Sequence, residues 1–100
     1  MSGEWYTLDE NKVPVRTRDE KSAFGGDRHV ALTNLANGGI QVSTVFLGLD
    51  HGYDNGPPVL FETLVFGGLL DGEMERYCTW DEAEQGHEAM VDRVRSALDS

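Results

Sequence analysis

Apolar and polar residues alternate over residues 40–49. Ile40, Val42, Thr44 and Phe46 fall on one side of an extended chain, and Gln41, Ser43, Val45, Leu47 and Leu49 fall on the other. The second side begins polar and turns apolar, so toward its end this strand has both sides covered, by its own chain or by a partner. Residues 59–66 are again rich in Val, Leu, Phe and Thr, which suit a pleated surface. Between the two runs, Asn55-Gly56 offers positive φ, and Pro57-Pro58 withholds ladder amides until Val59. The pattern predicts a central β-hairpin.

Its flanks supply further strands. Residues 4–8 carry Trp5 and Tyr6 and end in an Asp9-Glu10-Asn11 turn, and Val13-Pro14-Val15 reads as an edge strand. Residues 16–28 have no period, with Phe24 as their one sizeable apolar anchor, and read as a loop. Residues 29–35 alternate weakly into the turn Asn37-Gly38-Gly39, and a last strand is expected over 73–78, after Gly67-Gly68 and Asp71-Gly72.

The clearest element is a helix that begins after Thr79. Thr79-Trp80-Asp81-Glu82 fits a capping box, and Trp80, Ala83, His87, Met90, Val91, Val94, Ala97 and Leu98 form one apolar stripe. Gly86 inside it implies close approach to the sheet. The expected architecture is α+β: one domain with N-terminal strands and loop over 1–28, a meander of about four or five antiparallel strands centred on 29–78, and one C-terminal helix over 79–100 on one sheet face. The other face would show Val45, Leu47, Leu49, Leu60, Leu64 and Phe66, a patch that predicts a homodimer or higher homo-oligomer.

Charge narrows the function classes. The chain has 100 residues with 18 acidic against 8 basic, a formal net charge of -10. Such a surface repels nucleic acid and anionic membrane, so neither is expected as a direct partner. The lone Cys78 cannot close an internal disulfide and no long apolar run occurs, which favours a reducing cytoplasm.

Candidate chemistry gathers at the hairpin tip, where Asp50, His51, Tyr53 and Asp54 form a polar cluster on a loop. Asp50 also fits a turn acceptor and His51 a solvated side chain. Glu62, inside an apolar strand, is either a buried carboxylate or an outward residue. Arg76, the only base between Arg28 and Arg93, is the expected partner of Glu62 or Asp50. Tyr77 neighbours it and joins the candidate ligand- or partner-binding set. His87 reads as a core histidine bonded to backbone rather than as a catalyst. Cys78 lies before a helix N-terminus, which would lower a thiol pKa, yet no histidine is close in sequence. DHGYDNG lacks EF-hand spacing, and there is no P-loop, GxSxG, CxxC or HExxH, so no catalytic residue, metal or cofactor is assigned.

The segment VSTVFLGLDHGYDNGPPVLFETLVFGG, followed by RYCTWDEAEQGHEAMV, resembles a family of small uncharacterised proteins of tailed phages and prophages. Its pattern is VSTVFLGLDH, a Gly-rich loop, GPPxLFETxVFGG and RYxTWxEAExGH, and the match covers residues 42–91. Leu64 stands for the usual Met and Cys78 for the usual Ser, which argues against a catalytic cysteine. Residues 16–28 look shorter than in relatives that fill this region with a helix. The resemblance implies a phage accessory protein in the bacterial cytoplasm and brings no activity with it. Together with the charge it leads us to expect a non-enzymatic protein that binds and inhibits a host component, a defence protein or a nucleic-acid-handling complex. Two alternatives stay open: an oligomeric sponge for a small nucleotide signal, built on Arg76, His51, Tyr53, Tyr77 and Arg28, and a small hydrolase built on Asp50, His51 and Glu62.

Overall fold

The computed structural model describes residues 5–18, 28–50 and 56–99. The chain is α+β. Strands β1 (Trp5–Leu8) and β2 (Pro14–Thr17) pair with each other as a separate antiparallel ribbon. Strands β3 (His29–Leu35), β4 (Ile40–Phe46), β5 (Phe61–Phe66) and β6 (Met74–Tyr77) form the main sheet in meander order, and the helix α1 (Trp80–Leu98) packs on it. Among the described residues the main sheet therefore has four strands. Most of the stretch read as a loop, residues 19–27, lies outside the described residues.

Burial alternates along β4 as the pattern predicts: Ile40, Val42, Thr44 and Phe46 are buried under α1 and the residues between them are half-exposed. The register sets Val42 beside Val65, Thr44 beside Thr63 and Phe46 beside Phe61. One end of the core joins Ile40, Val42 and Val65 to Met90, Val91 and Val94 of the helix. The other joins Phe46, Leu60, Phe61 and Ala83, with Tyr6, Leu8, Tyr77 and Trp80 packed around them. There Phe61 meets Trp80 edge-on, with ring centroids 6.2 Å apart at 87°. The N-terminal ribbon is tied to the same end through Tyr6 N–H on the Gly48 carbonyl at 2.8 Å and Lys12 Nζ 5.3 Å from the Trp80 ring centre.

Two details correct the pattern. Leu60, counted above with the outer face, is fully buried in the core. Regular pairing of β5 starts at Phe61, so alternation does not yet hold at Leu60, and both residues turn inward. Leu49 bridges to Trp5, so beside the end of the hairpin strand lies the chain's own ribbon.

Turn chemistry follows the sequence. Asn37 and Gly38 take φ of 56° and 89° between β3 and β4. At Gly67, φ 90°, a Cβ would run into the Gly39 carbonyl oxygen, so only glycine fits there.

The helix cap is complete. Glu82 N–H donates to Thr79 Oγ1 at 3.1 Å, and Glu82 Oε1 accepts from the amides of Cys78 and Thr79 at 3.0 and 3.3 Å. Thr79→Ala strands one of these amides and is expected to cost about 1 kcal/mol. Urea titration reads this as a lower midpoint at unchanged slope; an unchanged midpoint would contradict it.

Candidate functional site

Of the candidate binding residues the structure describes Asp50, Glu62, Arg76 and Tyr77, and it places them in three separate surroundings. His51, Tyr53 and Asp54 lie outside the described residues. Asp50 stands at the base of the tip, where its Oδ1 accepts from Val59 N–H at 2.8 Å and fastens the two sides of the hairpin. This is the role of a turn acceptor.

Cys78 sits near this base, its Sγ 3.9 Å from the Pro57 carbonyl oxygen. Burial first, then the charges of Glu82 and Asp50, push its thiol up from the ordinary value. The helix-terminus argument made from sequence pointed the other way. It fails because the thiol is partly buried and because the capping carboxylate of Glu82 lies on the Cys78 amide itself and presents a negative charge. Alkylation of Cys78 by iodoacetamide should therefore reach half its maximal rate above the usual thiol pKa of about 8.5. A midpoint at or below that value would restore the activated-thiol reading.

Glu62 and Arg76 meet. They are cross-strand neighbours on β5 and β6, with Arg76 Nε 3.1 Å from Glu62 Oε2. They stand on the sheet face away from α1, because Phe61, Thr63 and Val65 take the buried side. Glu62 is thus an outward residue held by an ion pair, not a carboxylate in the core. Around it the same face carries Val45, and one row runs Leu32, Ser43, Leu64 and Met74 across all four strands. Leu32, Phe66 and Met74 are 50%, 48% and 45% exposed. The one carboxylate and one guanidinium on the described part of this face cancel.

Tyr77 belongs to the opposite side and to a chain of hydrogen bonds under the helix. Its hydroxyl donates to Thr63 Oγ1 at 3.2 Å, Thr63 and Thr44 hydroxyls lie 2.5 Å apart, and Thr44 Oγ1 is 2.7 Å from His87 Nδ1. His87 Nε2 is 2.8 Å from Thr33 Oγ1. The arrangement that uses every proton runs one way, Tyr77 to Thr63 to Thr44 to a neutral imidazole protonated on Nε2, which donates to Thr33. His87 is 4% exposed, and burial lowers its pKa, opposed by the charge of Glu88. It is a core histidine, as its place on the stripe predicts, but its partners are threonine hydroxyls and not backbone. That Thr33, Thr44 and Thr63 serve His87 does not show in the sequence, where Thr44 only marks the inward side of its strand, because threonine suits any strand. Their signal was a hydroxyl at inward positions of an otherwise apolar face.

Among the described residues no group of three or more His, Cys, Asp or Glu side chains is placed to hold a metal ion. No helix among them is long and apolar enough to cross a membrane. Comparison with protein-family models, with curated proteins and with solved structures finds no match.

Proposed function

We propose that this is a non-enzymatic cytoplasmic binding protein of phage type. It pairs with a second copy through the sheet face that no described element covers and turns its acidic remainder toward a host component, a defence protein or a nucleic-acid-handling complex, which it inhibits. The supporting observation is the contrast between that face and the rest of the chain. Leu32, Phe66 and Met74 lie exposed and Leu64 half-buried around a neutralised Glu62–Arg76 pair, on a chain of net charge -10. Two such chains repel everywhere except where their charges cancel, and an apolar patch gains most from being covered there. The acidic remainder competes with nucleic acid for a basic surface. The nucleotide-sponge alternative needs cations for phosphate. Arg76 is held by Glu62, and Arg28 donates to the carbonyls of Phe46 and Leu47 at 3.0 and 2.5 Å. The hydrolase alternative needs Asp50 and Glu62 together, and one is at the base of the loop while the other is on the outer face.

Light scattering at tens of micromolar should give twice the chain mass for the wild type and the chain mass for Leu64→Lys; a monomeric wild type removes the pairing. Immobilised protein in bacterial lysate should retain a basic protein that added duplex DNA releases. Retention that DNA does not affect, or none, removes the host reading.

A further inference from the structure

Strand β6 ends the main sheet, and no described strand lies beyond it. Val65 N–H bonds the Glu73 carbonyl at 3.0 Å, so in this antiparallel register Glu73, Glu75 and Tyr77 turn their backbone groups toward β5. Met74 and Arg76, between them, turn their amides and carbonyls outward. The side chains alternate too, and Glu75 and Tyr77 stand on the helix side.

Between this edge and α1 runs an open groove of about 300 Å³, lined by Glu75, Tyr77, Gly86, Ala89, Met90 and Arg93. The Tyr77 ring, seated over Gly86, and the Met90 thioether make its apolar walls, and the small side chain of Ala89 leaves room beside them. Acid surrounds it: Glu73 and Glu75 are exposed. The cation on the rim, Arg93, is held by Glu73 at 2.7 Å and lies 3.6 Å from the Met90 sulfur.

We propose that this groove receives an extended segment of a partner protein, which adds to β6 as a further strand. The segment places one apolar side chain between Tyr77 and Met90 and carries lysine or arginine on either side of it. Addition to an edge strand draws affinity from main-chain hydrogen bonds, and a pocket for alternate side chains supplies selectivity. A residue opposite Glu75 faces the same side as Glu75 and so enters the groove, and basic neighbours meet Glu75 and the acidic field of the chain. This docking mode rests on the binding reading above, whose partner it narrows to a basic segment with an apolar anchor.

The test uses a fluorescently labelled Lys-Thr-Leu-Thr-Lys peptide and the full chain. Binding should shift the amide resonances of Met74 and Arg76. Affinity should fall at least tenfold for Ala89→Trp, which fills the groove from an exposed helix position, for an Asp-flanked peptide, and for a backbone N-methylated peptide titrated against the unaltered protein. No binding, equal binding of the Asp-flanked peptide, or unmoved β6 amides would overturn the docking mode. Capture of a DNA-releasable protein separates the two readings. If Ala89→Trp captures it as well as the wild type does, the groove is not the site and the binding reading stands; if the wild type captures none, the binding reading falls and takes this partner assignment with it.

Discussion

Gly86→Ala is expected to destabilise the protein and to become stabilising once Tyr77 has been cut back to Ala. The helix alone would favour alanine by about 1 kcal/mol. A Cβ at position 86, however, would overlap the Tyr77 ring and hydroxyl. The ring is not free to swing away, because its hydroxyl is held on Thr63 and its body packs at the end of the core that holds Phe61 and Leu60. Overpacking of this kind costs about 1–3 kcal/mol, and displacement of the Tyr77 hydroxyl adds about 1 kcal/mol for the lost bond. The net expectation is a loss of about 1–3 kcal/mol in the wild-type background and a gain of up to about 1 kcal/mol in the Tyr77→Ala background. A denaturant double-mutant cycle reads both. The same sign in both backgrounds would mean that Gly86 is not there to seat Tyr77.

What the sequence revealed and what it hid divide along sequence distance. The inward face of β4, the Thr79 cap and the helical stripe each rest on residues a few positions apart, and local periodicity carries them. Gly86 belongs with these: a glycine in a sound helix implies a close neighbour, although not that the neighbour is Tyr77. The Glu62–Arg76 pair was legible for another reason, since a single base in the middle of the chain leaves few partners for an outward carboxylate. The hydroxyl chain was not legible. It draws Thr33, Thr44, Thr63, Tyr77 and His87 from four strands and the helix, and only the register makes them neighbours. Of the candidate binding set, Asp50, Glu62 and Tyr77 point to three different places, a consequence of strand parity and loop geometry that composition does not carry. The separate N-terminal ribbon escaped too, for nothing in two four-residue strands states which sheet they join.

Acidification should weaken the protein through His87, and the stability difference between the wild type and His87→Leu should shrink as pH falls. At pH 7.5 the imidazole is neutral in both folded and unfolded chains, and it ties Thr44 to Thr33 beneath the helix. Leucine leaves both hydroxyls without that partner, Thr44 within the core, which should cost about 1–3 kcal/mol. Burial holds the folded pKa below the ordinary histidine value of 6.5. The unfolded chain therefore takes up a proton near pH 6.5 that the folded chain refuses. Stability from this residue is present in full above pH 6.5 and is lost as pH falls from there toward the lowered folded pKa, by at most about 1.4 kcal/mol per pH unit. Protonation is resisted by hydrogen bonding as well as by burial. A proton on Nδ1 would turn the Thr44 hydroxyl back on Thr63, which already accepts from Tyr77, so one hydroxyl proton would lose its acceptor. Carboxylates titrate mostly below pH 5, and the remaining histidines are common to both proteins. Urea unfolding at pH 7.5, 6.5 and 5.5 should give curves that converge on acidification, by no more than about 1.4 kcal/mol. Parallel curves would mean that His87 contributes only its volume. Thr44→Val, nearly the same size, should reproduce much of the loss at pH 7.5, since it strands Nδ1 and the Thr63 hydroxyl together and costs about 2 kcal/mol.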